Sequence, residues 1–159
     1  MTEKLLFVCM GNICRSPTAE GIMVHLLQEA GLESQFECDS AGTTGHHVGS
    51  PPDRRMQASA QAAGITLRGR SRKFVVADFE RFDRILAMDR DNYEDMLALD
   101  PAGRYAHKVK MICDYCTEHT DKEVPDPYYG GDAGFRYVIA LLKDACSGLL
   151  ETLRVESSR

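Results

Sequence analysis

Strand-like apolar runs alternating with segments of helical period predict an α/β fold, a four-stranded parallel sheet flanked by helices on both faces. Three observations carry the prediction. Four short apolar runs are each followed by a helical pattern or a loop, the order that right-handed crossovers require. Glycine, asparagine and proline punctuate the junctions. The 159 residues, without repeat, linker or composition break, suit one domain spanning 1–159.

The elements follow in order. Lys4 to Cys9 reads as a short buried strand ended by Gly11-Asn12. Ser16-Pro17 then opens a helix, with Ser16 as expected N-cap and Pro17 at the first helical position. Ala19, Ile22, Met23, Leu26, Leu27 and Ala30 recur at helical spacing, and Gly31 closes the helix. Phe36 to Ser40 gives a second strand, followed by a Gly- and His-containing loop through Ser50-Pro51-Pro52. Asp53 to Ala63 reads as a helix with Gly64 at its end. Phe82 to Met88 gives a third strand, Asp89 to Leu99 a helix, and His107 to Ile112 a fourth strand. Cys113 to Gly131 is a long polar segment, and from Asp132 to about Leu153 the helical period is strong. Four such strands in one small domain predict a single doubly wound sheet of flavodoxin-like type.

Composition narrows the function. Hydrophobic residues make up 43% and charged residues 27%, which excludes a disordered chain. The net charge of −5 argues against a nucleic-acid partner. No run approaches the ~20 apolar residues of a membrane span. The start, Met1-Thr2-Glu3-Lys4-Leu5-Leu6-Phe7-Val8, lacks the pattern of a secretory signal, so a cytoplasmic location is expected. In that reducing compartment the six cysteines are buried apolar residues, metal ligands or nucleophiles rather than disulfides.

Chemistry concentrates in Cys9-Met10-Gly11-Asn12-Ile13-Cys14-Arg15-Ser16, between the first strand and the first helix. In a parallel sheet, ligands bind beyond the carboxyl ends of strands, where this loop must lie. Its N–H groups precede a helix N-terminus and can converge on an anion, and the same field favours a thiolate at Cys9. Six residues on, Arg15 offers a planar fork for two phosphate oxygens. Gly11 and Asn12 tolerate the positive φ of a tight cradle. Ser16 suits either helix capping or donation of a hydroxyl proton to a leaving thiolate; Ala19 stands where a capping box needs Glu or Gln. A nucleophilic sulfur under a ring of phosphate donors implies a phosphocysteine intermediate. Phosphoryl transfer also needs an acid and later a base, and Asp126, stiffened between Pro125 and Pro127, is the best candidate. Tyr128 and Tyr129 follow it, and an aromatic wall suits an aryl leaving group, hence phosphotyrosine.

With these blocks the chain resembles the low-molecular-weight protein tyrosine phosphatase family, from Val8-Cys9-Met10-Gly11-Asn12-Ile13-Cys14-Arg15-Ser16-Pro17 through Asp39-Ser40-Ala41-Gly42 and Met88-Asp89 to Asp126-Pro127-Tyr128-Tyr129-Gly130. The resemblance implies a two-step phosphomonoesterase without metal or other cofactor, in which Cys9 is nucleophile, Arg15 phosphate clamp and Asp126 general acid and base. Residues Met10 to Cys14 and Ser16 would form the phosphate-binding loop, and Asn12, Ser16 and Ser40 a network that holds it strained, with Asp89 in support. Cys14 would trap oxidised Cys9 as a reversible disulfide. Met10, Tyr128 and Tyr129 would line the mouth, joined by His46 of Gly45-His46-His47, where animal members carry an aromatic residue. Expected partners are phosphotyrosine proteins or small aryl phosphates, with inorganic phosphate and vanadate as ligands, and the expected assembly is a monomer or weak dimer. Gly69 stands where animal members have a His supporting the loop Asn, and Arg72 is a substitute for it.

Two alternatives accompany this reading. An arsenate reductase of the same fold needs further cysteines after the third strand, and there is none between Met88 and Ile112. A redox or zinc module on Cys113 and Cys116 would need a helix-opening pair or four ligands, and only His119 is near in sequence. His25, His46 and His47 read as loop or helix-surface residues rather than metal ligands. The cluster Arg68 to Lys73 reads as a solvated basic loop or as a steering patch for anions.

Overall fold

The computed structural model describes residues 2–128 and 130–158, so the expectation for Tyr129 lies outside the described residues. Four strands, β1 (Glu3–Cys9), β2 (Phe36–Gly42), β3 (Arg84–Ala87) and β4 (Val109–Met111), form one parallel sheet in the order β2-β1-β3-β4. The helices are α1 (Arg15–Glu29), α2 (Arg54–Ala62), α3 (Asp78–Arg81), α4 (Arg90–Leu97) and α5 (Asp132–Ser157).

Alternation along β1 divides the core. Leu5 and Phe7 join Leu86 and Met88 against the apolar faces of α1, α2 and α5. Leu6 and Val8 join Ile85, Ala87 and Val109 against Phe79 of α3 and Met96 of α4. All four β1 residues are fully buried, so a polar substitution there would strand a polar group between two layers. The predicted doubly wound sheet, covered on both faces, is thus present. Because β1 has β2 on one side and β3 on the other, its carboxyl end lies at the switch point where the crossovers change direction.

The local differences from expectation have local causes. Strand β3 loses Phe82 and Asp83 because Phe82 closes α3, a four-residue helix too short to leave a periodic signature. Strand β4 is shorter than expected because 3-10 turns at Ala106–Lys108 and Ile112–Tyr115 flank it. Ser16 does not cap α1. Cys14 occupies the N-cap position without a side-chain bond, and Ser16 lies inside the first turn with its hydroxyl turned to the loop. Asp53 and Asp89 do cap α2 and α4.

Two contacts place α5 and the long polar segment. Gly148 packs so closely that a Cβ there would lie 1.8 Å from the Tyr115 carbonyl oxygen, so only glycine permits this docking. Asp144 of α5 accepts hydrogen bonds from the backbone N–H groups of Thr117, Glu118 and His119 and pairs with His119 Nδ1 at 2.8 Å. Although burial opposes its charge, these donors hold the Asp144 carboxyl well below the usual range. His119 is therefore engaged by a carboxylate. Burial pushes the Cys113 thiol up to about 12 and the Cys116 thiol up to about 11, the opposite of a reactive pair. No group of three or more His, Cys, Asp or Glu among the described residues is arranged to hold a metal ion, and no described helix is long and apolar enough to cross a membrane.

Candidate active site

The turn from β1 into α1 carries the site. Its tightest point is Asn12, whose φ of 58° lies in the left-handed region that Asn tolerates better than most residues. Gly11 does not share the positive φ expected of it. His47 lies over it, so that a Cβ would sit 3.1 Å from the imidazole and the ring would have to give by a few tenths of an ångström. Gly42, at the end of β2, serves the same loop: a Cβ there would meet the Met10 carbonyl oxygen at 2.7 Å.

The Asn12 amide is oriented from outside the loop. Its Oδ1 accepts the backbone N–H of Arg72 at 3.0 Å, which turns Nδ2 toward Ser16 Oγ at 2.8 Å and Ser40 Oγ at 3.0 Å. This answers the question raised by Gly69. The supporting group is the main chain of Arg72, while its guanidinium pairs with Asp39 and with the fully buried Asp78. Arg72 is thereby withdrawn from any steering patch, and Arg70 is bonded to the Gly49 carbonyl.

The remaining bonds follow from the hydrogens available and the distances. Ser16 Oγ accepts from Asn12, so its single hydrogen has two acceptors within reach, Cys9 Sγ at 3.0 Å and the Ala41 carbonyl at 3.5 Å, and sulfur is the nearer. Sγ also accepts the Asn12 backbone N–H at 3.2 Å. Cys9 is 2% exposed and receives two donors. Cys14, in the same loop, is driven the other way: burial, then Asp53, push its thiol up to about 12. Of the two, Cys9 is the one whose sulfur receives hydrogen bonds within the loop.

Arg15 is 3% exposed, and two groups fix it. Its Nη1 donates to Asp89 Oδ2 at 2.6 Å and to the Val124 carbonyl at 3.0 Å. Among the described residues its Nε and Nη2 donate to no protein group, which leaves one planar edge for an oxyanion. Nη2 lies 3.7 Å from Asp126 Oδ2. Burial opposes the guanidinium charge, but Cys9 and Asp89 outweigh it and hold the pKa above the ordinary value. Asp126 Oδ1 accepts the Tyr128 N–H at 3.0 Å, and its side chain remains 36% exposed.

These groups line one cavity of about 240 Å³, with Cys9, Gly11, Asn12, Ile13, Cys14 and Arg15 below and Met10, Asp126, Tyr128 and His47 above. His47, not the predicted His46, is the wall residue; its ring centroid is 6.3 Å from that of Tyr128, whereas His46 is exposed. The difference is one residue in a loop where no periodicity sets the facing side chain. Arg55, missed by sequence reasoning, stands 5.2 Å from the Tyr128 ring centroid as a cation–π partner. A larger cavity of about 600 Å³ between α2 and α5 contains none of the candidate catalytic groups.

Sequence reasoning also missed Glu20. It lies one helical turn beyond Ser16, and burial pushes its carboxyl from an ordinary 4.5 up to about 7, with a hydrogen bond from Ser40 opposing, Asp39 adding and Arg72 relieving. Because the folded form holds its proton more tightly than the unfolded chain, stability is predicted to fall as pH rises from about 4.5 to about 7. Thermal melts across this range should show that decline in the native protein and a flatter dependence in Glu20→Gln; parallel curves would contradict the assignment.

Comparison with known proteins agrees with this geometry. The family model for low molecular weight phosphotyrosine protein phosphatase matches residues 4–159. A relative from Synechocystis sp. assigned to that phosphatase family is 60% identical over 96% of this chain and 98% of its own. The human low molecular weight phosphotyrosine protein phosphatase is 34% identical over 94% of this chain and 95% of its own. A crystal structure of a protein tyrosine phosphatase from Entamoeba histolytica superimposes with a TM-score of 0.95 and 45% identity, covering 98% of this chain and 99% of that one. The chain belongs to the low molecular weight phosphotyrosine protein phosphatase family.

Proposed function

We propose that this phosphatase hydrolyses phosphotyrosine and small aryl phosphates in two steps through a phosphocysteine. The observation that carries the reading is the meeting, in one cavity, of a hydrogen-bonded sulfur, an open guanidinium edge and a carboxyl group. In the first step Cys9 Sγ attacks phosphorus while Arg15 and the loop N–H groups hold the equatorial oxygens. Protonated Asp126 gives its proton to the departing phenoxide. In the second, Asp126 takes a proton from water, water attacks phosphorus, and the sulfur leaves as a thiolate that the Ser16 hydroxyl meets. Met10, His47 and Tyr128 would receive the aryl ring. The site draws every one of these groups from one chain, so a monomer suffices, and residues 1–159 act as one phosphatase domain. The thiols must stay reduced to act, which supports a cytoplasmic setting.

Cys9→Ser is expected to abolish p-nitrophenyl phosphate hydrolysis while leaving the circular dichroism spectrum unchanged. Vanadate should inhibit competitively and EDTA should have no effect, since Arg15 and N–H groups supply the positive charge; loss of activity in EDTA would contradict the mechanism. Asp126→Asn should lower turnover by about 10²-fold or more on substrates with poor leaving groups and less on p-nitrophenyl phosphate. An equal loss across leaving groups would show that Asp126 is not the acid. Comparison of phosphotyrosine, phosphoserine and phosphoarginine peptides, with arsenate reduction as control, tests the substrate class.

We further infer a protective role for Cys14. Peroxide would convert the Cys9 thiolate to a sulfenic acid, and the Cys14 thiol would condense with it, releasing water and forming a disulfide. Thiol treatment after brief peroxide exposure should restore the native enzyme more fully than Cys14→Ser; equal recovery would remove the role.

A further inference from the structure

Next to the catalytic cavity lies a second one of about 410 Å³, which shares Met10, Arg15 and Asp126 with it. The rest of its wall comes from the N-cap and first turns of α4: Asp89, Asp91, Asn92, Glu94 and Asp95. Asp89 and Arg15 neutralise each other through their 2.6 Å bond. The other carboxylates have little to balance them. Among the described residues Asp91 and Asp95 make no ion pair or side-chain hydrogen bond, and Glu94 reaches only the exposed Arg90, at 4.0 Å. The helix dipole accounts for an acid at Asp91 in the first turn but not for Glu94 and Asp95 in the second.

Asn92 provides an independent observation. It is 1% exposed, it forms part of the cavity wall, and among the described residues its Oδ1 accepts no hydrogen bond. A buried acceptor without a donor is unfavourable until something supplies one. The wall therefore carries free carboxylates over a buried carbonyl that lacks a donor, a set that suits a ligand rich in N–H groups and positive charge. A metal ion does not fit, because these carboxylates do not converge as a metal-ligand group. A guanidinium or ammonium on a flexible stem does, since it distributes several donors over a wide pocket.

We propose, building on the phosphotyrosine reading above, that this cavity is a subsite for an arginine or lysine side chain flanking the phosphotyrosine of a substrate. With the phosphate in the Cys9 loop, the shared Met10 and Asp126 wall separates the phosphorylated residue from its neighbour. The same carboxylates repel acidic flanks, so the preferred substrates are phosphotyrosine segments of basic character.

The test uses three phosphotyrosine peptides of equal length, with Arg, Ala or Glu on both sides of the phosphotyrosine, beside p-nitrophenyl phosphate, which has no flanks. The native enzyme should favour the Arg over the Glu peptide by roughly tenfold in kcat/KM at low salt, and the preference should shrink as salt screens it. In Asp91→Asn/Glu94→Gln/Asp95→Asn, whose side chains lie on the exposed surface of α4, the ratio should fall to within about twofold while p-nitrophenyl phosphate turnover is unchanged. Equal rates on the three peptides, or an undiminished preference in the triple variant, would overturn the proposal. Fluorescence anisotropy with the Cys9→Ser protein separates this from the catalytic reading. Failure of p-nitrophenyl phosphate hydrolysis would count against the mechanism alone, whereas the same Arg-over-Glu order in binding would uphold the subsite.

Discussion

The site depends on which way one buried amide points. A backbone N–H from Arg72 fixes Asn12 Oδ1, and every later bond follows from that choice: Nδ2 donates to two serines, Ser16 keeps its hydrogen for sulfur, and Cys9 becomes an acceptor. With the amide reversed, two NH₂ hydrogens would face the Arg72 N–H and the serines would lose their donor. A buried network of this kind specifies one arrangement because all its members are satisfied together. The left-handed Asn12 backbone is held by the same bonds that orient its side chain.

Asp126, the proposed acid, reaches the loop by similar economy. Asp89 caps α4 with one oxygen and holds Arg15 with the other, so the helix that follows β3 orients the clamp that follows β1. Val124 then joins the two: its N–H bonds the Met88 carbonyl at 2.8 Å, and its carbonyl accepts from Arg15. The segment bearing Asp126 is thereby stitched across the carboxyl ends of the strands, two residues from its anchor. Parallel topology brings these three loops to one edge, and main-chain bonds set their spacing.

Much of this was legible in the chain itself. The apolar run of β1, the helical period of α1 and α5, and the Cys9-to-Arg15 spacing arise from local patterning, and the structure reproduces them. What escaped the sequence was non-local or carried by the main chain. The support for Asn12 comes from a peptide group 60 residues away, and an N–H has no sequence signature. The helix α3 is a single turn, yet it delivers Asp78, the buried partner of Arg72. The need for glycine at 148 depends on Tyr115, which the sequence places 33 positions earlier in a loop. Ser16 looked like a cap because its type fits one, but its hydroxyl is drawn to sulfur and amide instead. His46 and His47 differ by one position in an irregular loop, where facing is decided only by packing over Gly11.

The central proposal is that Cys9 Sγ is the nucleophile, because the Asn12–Ser16 network directs hydrogen bonds at its sulfur. Iodoacetate, which reacts with thiolates, tests it at a mildly acidic pH where an ordinary cysteine, with its pKa of ~8.5, is almost wholly a thiol. Peptide mapping should find carboxymethylation at Cys9 ahead of every other cysteine, slowed by inorganic phosphate and by Asn12→Ala. Alkylation of Cys9 no faster than that of free cysteine, or indifferent to both phosphate and Asn12, would contradict the account.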